Sequence, residues 1–197
     1  MKHEDLRTDE ALMLAYRDGD AAAFDTLYDR WRGRLYRYIA HQAQSHADEI
    51  FQDVWMRIIG ARSSYEVSAK FSTWIFRIAT NRLTDHFRSQ SRGPVAGWSS
   101  ADEEREFLDT VPAPETERPL SMLERKELSR LILYAIDQLP DSQRQVFLLQ
   151  EEGELTLDEI ARVTEAGRET VKTRLRYAYA KLRGSLACVL DREAEDA

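Results

Sequence analysis

Four prolines, Pro94, Pro112, Pro114 and Pro119, fall between Gly93 and Leu120 in a chain whose apolar residues otherwise recur every three or four positions. Proline removes a backbone donor and clashes with the preceding helical turn, so this stretch interrupts any helix. It shows no helical period and carries seven acids against Arg105 and Arg118. These features predict an extended acidic linker over residues 93–120. Its apolar residues, Trp98, Phe107 and Leu108, are too sparse for a core. On either side lie two units, 1–92 and 121–190, followed by an acidic tail, 191–197. No segment alternates apolar and polar residues with a period of two, so strands are not expected and the fold class is all-α.

Within the first unit, Thr8 or Asp9 can cap a short helix that stops at Gly19, and Asp20 can cap the next. Phe24, Leu27, Tyr28, Trp31, Leu35 and Tyr38 then form one apolar stripe. Ser45 with Asp48 resembles a capping box opening a third helix that ends near Gly60. Arg62 to Phe71 reads as a polar loop, and Ser72 as the cap of a fourth helix running toward Arg92. In the second unit, Leu123, Leu128, Leu131, Ala135 and Leu139 support a long helix ended by Pro140. Asp141 is expected to cap a helix bearing Val146, Phe147 and Leu149 that stops near Gly153. Thr156 with Glu159 forms a full capping box for a short helix, and a last helix runs from about Arg168 to Leu190.

The net charge of −7 on 197 residues argues against nucleic acid until its distribution is considered. Lys70 to Arg92 holds five basic residues and one acid, Asp85. Arg162 to Arg183 holds seven basic residues against Glu165 and Glu169. The acids concentrate in the linker and the tail. Two basic islands in an acidic chain predict two local DNA contacts, although either island alone is equally compatible with a solvated helix face.

The sharpest pattern is a short capped helix, a tight turn and a longer basic helix, the layout of a helix-turn-helix. Val171, Leu175, Ala178 and Leu182 share one face of the last helix and should be core. Glu169, Lys172, Thr173 and Arg176 share the opposite face, with Arg168 at the helix start, where a phosphate would also meet free N–H groups. Lysine and arginine donate to guanine edges, and threonine serves an edge or a phosphate. On the third helix Ile50, Phe51, Val54, Trp55 and Ile58 form the buried side, while Glu49, Gln52, Asp53 and Met56 line the other. That acidic patch suits a basic partner helix, or is simply a wet face. On the fourth helix Phe71, Trp74, Ile75 and Ile78 point inward, and Arg77, Thr80, Asn81, Thr84 and Arg88 form a stripe without an acid. Such residues contact phosphates and bases. The loop before it, Ser68, Ala69 and Lys70, is small and polar enough to admit an extruded base.

These segments, in this order, resemble the sigma-70 family and its extracytoplasmic-function (ECF) group. Gly19-Asp20, Ala23-Phe24 and Leu27-Tyr28 resemble the opening of sigma region 2. Ala47 to Trp55, with Gln52-Asp53, resembles the polymerase-binding helix. Phe71, Trp74-Ile75, Arg77-Ile78-Ala79, Asn81, Asp85 and Arg88 resemble the melting and minus-ten segment. Leu139-Pro140, Gln143-Arg144, Phe147, Glu159-Ile160-Ala161 and Thr170 to Leu175 resemble region 4. The resemblance implies two helical domains joined by a flexible linker that threads the polymerase's nucleic-acid channel. Glu49, Gln52, Asp53, Met56 and Arg57 would bind core RNA polymerase. Lys70, Arg77, Thr80, Asn81, Thr84 and Arg88 would open and read the minus-ten element. Arg168, Glu169, Lys172, Thr173 and Arg176 would read the minus-thirty-five element. Core polymerase, promoter DNA and an anti-sigma factor are the expected partners.

Three positions depart from the family pattern. Glu165 stands where the turn before the recognition helix usually has glycine, and Gly167 stands at its capping position. Glu169 replaces a small residue and puts an acid on the DNA face, which is expected to alter promoter preference. Two other functions compete: a helix-turn-helix regulator with a sensing or dimerising first unit, and a sigma mimic that sequesters an anti-sigma factor. The first leaves the Glu49/Gln52/Asp53 patch and the Arg77–Arg88 stripe unexplained. The second normally carries a receiver domain, for which this chain has no room.

An enzyme is not expected. His3, His41, His46 and His86 are scattered, a phosphate-binding glycine loop is absent, and no cofactor or metal is predicted. Cys188, the single cysteine, reads as a small buried residue and suits a reducing cytoplasm. With no signal core and no long apolar run, the chain should be cytoplasmic and make no membrane contact of its own.

Overall fold

The Thr8 side-chain oxygen accepts the Ala11 N–H at 3.2 Å and starts α1 (Asp9–Arg17). The computed structural model describes residues 5–90 and 122–195, with side chains over 5–90 and 126–187. The predicted linker, with Trp98, Phe107 and Leu108, and the side chains of Leu123 and Cys188 lie outside the described residues. Every regular element among the described residues is helical. After Gly19, at φ +109, Asp20 accepts the Ala23 N–H and opens α2 (Ala21–Ala40). Leu27, Trp31, Leu35 and Tyr38 are buried as the stripe predicts, with Phe24 and Tyr28 half-buried.

The next two caps differ from expectation. A 3-10 turn, Gln44–His46, leads into α3 (Ala47–Gly60), and the expected capping box is absent. The Ser45 hydroxyl instead meets His46 Nδ1 at 3.0 Å, and Asp48 accepts the Tyr36 hydroxyl from α2 at 3.0 Å. Arg62–Ser64 forms another 3-10 turn, and Tyr65, within the expected polar loop, is buried. Ser72 caps nothing, because α4 (Phe71–Gln90) has already begun. Glu10, on α1, accepts the Phe71 N–H at 2.7 Å, so a carboxylate from a distant helix satisfies a free donor at the helix start. Phe76 then sits edge-on to Tyr38 and Trp31 in the first core.

The second unit comprises α5 (Met122–Asp137), α6 (Asp141–Glu151), α7 (Leu157–Thr164) and α8 (Arg168–Glu195). Here Pro140, not Asp141, holds the capping position of α6. Asp141 lies inside the first turn and pairs with Arg144, where its charge still complements the helix dipole. The Thr156–Glu159 capping box forms as predicted: Thr156 N–H donates to Glu159 at 2.8 Å and Glu159 N–H donates to the Thr156 hydroxyl. Val171, Leu175, Ala178 and Leu182 are all buried, and α8 continues past the expected Leu190.

The α7–α8 turn resolves around Glu165, which takes the left-handed conformation at φ 53, ψ 32. Its N–H reaches back to Ala161, the arrangement in which glycine usually ends a helix. A side chain there is strained. Glu165→Gly is expected to raise stability by roughly 0.5–1 kcal/mol, net of the larger entropy glycine gives the unfolded chain. Thermal melting followed by circular dichroism checks this, and an unchanged or lower midpoint contradicts it.

The two units touch. α4 packs on α7 and α2 approaches α6. At Gly153 a Cβ would lie 2.7 Å from the Leu149 carbonyl oxygen and 3.1 Å from the Phe76 ring. The Leu149 carbonyl of the same unit is what demands glycine here, and the Phe76 ring of the first core lies close beside it.

Candidate nucleic-acid interface

On α8 the buried stripe fixes which residues look outward. Arg168, Glu169, Lys172 and Arg176 are exposed and Thr173 is half-buried, so the predicted face is present. Its cations are not free of partners. Arg168 Nε lies 3.0 Å from Asp158 of α7 and Nη1 3.6 Å from Glu169, while Lys172 Nζ lies 3.9 Å from Glu169. The Arg176 guanidinium rests over the Tyr177 ring at 5.1 Å, which holds it near the surface of the helix. The face is therefore a short row of cations around one acid, presented on a helix narrow enough for a major groove.

On α4 the structure brings together Arg77, Asn81 and Arg88, all exposed, with Thr84 half-buried. Thr80 departs from the expected stripe. It is 5% exposed, and its hydroxyl shares a 2.7 Å hydrogen bond with that of buried Tyr38. Helical spacing placed Thr80 on the outer face, but α7 lies over that face and the Tyr38 hydroxyl reaches it from within. A cleft of about 720 Å³ separates the stripe from the helix-turn-helix, lined by Asn81, Thr84 and Arg88 of α4 and by Thr164, Glu165 and Arg174. Lys70, on the loop before α4, lies 3.4 Å from Glu159. Burial opposes ionisation of the Glu159 carboxyl, but hydrogen bonds from Thr156, and then Lys70, outweigh it and hold its pKa below the usual value.

On α3, Glu49, Gln52, Met56 and Arg57 are exposed and Asp53 is half-buried. Sequence reasoning missed the residue that organises this face. Arg82, on α4, is 12% exposed at its side chain, donates to Asp53 at 2.7 Å and lies 3.5 Å from Glu49. Nothing in the spacing of α4 marks Arg82, since only the packing of α3 on α4 aims it at these carboxylates. Arg57 is likewise held, 3.4 Å from Asp85. Met56 is left 61% exposed in the middle of a polar face, with its carboxylates fixed in direction around it.

Known proteins resemble this chain over most of its length. The family Sigma-70 region 2 matches residues 24–93, and the family Sigma-70, region 4 matches residues 129–182. The chain is 30% identical over 174 residues to the ECF RNA polymerase sigma factor SigW of Bacillus subtilis (strain 168), covering 85% of this chain and 91% of that protein. It is 25% identical over 169 residues to the ECF RNA polymerase sigma-E factor of Escherichia coli (strain K12), covering 85% and 88%. Among solved structures, CnrH in complex with the cytosolic domain of CnrY shares the fold with a TM-score of 0.59, at 22% identity over 93% of this chain and 97% of that one. The sigma factor RpoE bound to the anti-sigma factor NepR from Bartonella quintana gives 0.59, at 18% identity over 83% and 96%.

Proposed function

This chain belongs to the sigma-70 family, in its ECF group, and from that premise we propose how three faces divide the work of promoter-directed initiation. As a sigma factor it joins core RNA polymerase and promoter DNA. The α3 face, Glu49, Gln52, Asp53, Met56 and Arg57, docks on the polymerase, with Arg82 holding two of its carboxylates in place. The first unit, 1–92, then opens and reads the minus-ten element through Lys70, Arg77, Thr80, Asn81, Thr84 and Arg88. The second unit, 121–190, reads the minus-thirty-five element as duplex through Arg168, Glu169, Lys172, Thr173 and Arg176.

One observation carries the reading. A single chain presents an acidic face braced by Arg82 and, on a separate helix, a row of cations backed by a buried stripe. A helix-turn-helix regulator needs only the second of these. We further propose that an anti-sigma factor controls the protein, a reading supported by the likeness to RpoE solved with NepR. The chain acts as an initiation factor with no chemistry of its own, and we place it in the cytoplasm. Among the described residues no helix is long and apolar enough to cross a membrane.

Run-off transcription with core polymerase on a promoter library tests the proposal. Discrete transcripts that depend on both promoter elements and on this chain are expected. DNA binding without promoter-directed transcripts would favour the regulator instead.

A further inference from the structure

Methionine is ordinarily a core residue, and Met13 of α1 obeys the rule, fully buried in the first unit. Met56 breaks it. The chain has four methionines, of which Met1 and the side chain of Met122 lie outside the described residues. Among the described residues Met56 is therefore the methionine open to solvent, at 61% exposure. Its direction is set by the helix. Ile50, Val54, Trp55 and Ile58 bury one side of α3, which turns Met56 outward with Glu49, Gln52 and Asp53. The charges around it are already engaged, since Arg82 holds Asp53 and Glu49, and Asp85 holds Arg57. The thioether is the apolar point of an otherwise polar surface.

A thioether so placed has two properties. It accepts hydrogen bonds only weakly, so a partner that covers it must offer an apolar spot there. It is also one of the few side chains that a hydroperoxide oxidises directly. With hydrogen peroxide, a sulfur lone pair attacks one oxygen and the O–O bond breaks. The proton of the transferred oxygen passes to the other, which leaves as water. Sulfur gains one oxygen and gives up two electrons, which the peroxide accepts. The product, methionine sulfoxide, is polar, and sulfoxide reductases return it to the thioether.

We propose that Met56 is a reversible oxidation site that sets whether the α3 face can dock: the thioether form binds core polymerase well and the sulfoxide form binds it poorly. The effect on docking rests on the role proposed above for α3, whereas the chemistry at sulfur does not. In the free chain the sulfoxide oxygen stays in water, so the fold carries no penalty. In the complex that oxygen leaves water at a point where the partner has no donor for it, and an unsatisfied polar group opposes binding. Bound polymerase covers the sulfur, so the switch acts on the free chain before assembly.

The test treats the full chain with graded hydrogen peroxide and maps the product by peptide mass spectrometry. Treated chain is then titrated against labelled core polymerase, with circular dichroism to verify folding. Met56 should gain one oxygen well before Met13, with the melting midpoint unchanged. Binding should weaken about tenfold, and sulfoxide reductases should restore it. Met56→Leu keeps the other methionines and Cys188, so whatever its own affinity, peroxide should leave that affinity unchanged. Oxidation of Met13 as early as Met56 overturns the site. Treated chain that binds as tightly as untreated chain, or a Met56→Leu variant that loses affinity equally, overturns the switch. The variant Gln52→Lys/Asp53→Lys separates the two readings. Should it bind core polymerase like the parent, the docking role of α3 fails and the switch with it. Should it lose binding while the sulfoxide has no effect, the docking role stands and only the switch is overturned.

Discussion

Replacing Gln52 and Asp53 together by lysine is expected to weaken binding to core polymerase by about a hundredfold or more, the loss typical when a paired charge in an interface is reversed. The structure gives the reason a direction. Arg82 is nearly buried and points its guanidinium at Asp53 and Glu49, so these carboxylates are fixed before any partner arrives. A partner with basic side chains meets a preset acidic surface and loses little side-chain entropy in ordering it. Two lysines turn that surface positive and place one ammonium against Arg82. The same change removes one partner from Arg82, so a modest fall in melting temperature should accompany it. A titration of labelled core polymerase against the variant, with helicity checked in parallel, separates the two effects. Folded variant protein that still binds core polymerase as tightly as the parent would remove α3 from the docking surface.

How far the sequence foretold these contacts follows from how local each one is. Thr8, Asp20 and the Thr156–Glu159 box act on donors within three residues, and all three caps formed as spacing predicted. Asp48 was misread because its carboxylate bonds Tyr36 on another helix, and Ser72 because Glu10 supplies the missing acceptor from α1. Neither partner has a fixed sequence distance from the residue it serves. The apolar stripes of α2, α3 and α8 were legible because periodic burial is a property of one helix at a time.

The candidate site divides the same way. The outward face of α8 follows from its buried stripe, so Lys172 and Arg176 were found by spacing alone. Thr80 occupies an outward position on α4 by the same rule, yet it is buried, because a second unit lies over that face. Arg82 belongs to neither the apolar side nor the stripe, and its role exists only in the packing of α4 against α3. Glu165 marks a third kind of limit. Its departure from glycine was visible, but the local result, an acid held in a left-handed turn, depends on the flanking helices enforcing that turn.

Substituting alanine for both Lys172 and Arg176 is expected to reduce transcription that depends on the minus-thirty-five element by at least about thirtyfold, since each good base contact supplies roughly 1–3 kcal/mol of discrimination. Both side chains project from the outward face of α8, away from Val171, Leu175 and Ala178, so folding should be nearly unaffected. Run-off transcription on matched promoters with and without the element isolates this loss from any effect on melting. Equal activity of parent and variant on both promoters would take α8 out of the groove.

Glu169 sharpens the test because it lies between Arg168 and Lys172 and must be approached by whatever they bind. In duplex DNA a carboxylate is repelled by phosphate but accepts a hydrogen bond from the amino group of cytosine. Glu169→Ala should therefore raise overall duplex affinity and steepen its salt dependence, because Lys172 loses its internal counter-ion and Arg168 keeps only Asp158. It should also flatten the preference for cytosine at one position of the element. A rise in affinity with the ranking of minus-thirty-five sequences unchanged would show that Glu169 only screens its neighbours. A changed ranking would make it a reader as well as a screen for its neighbours.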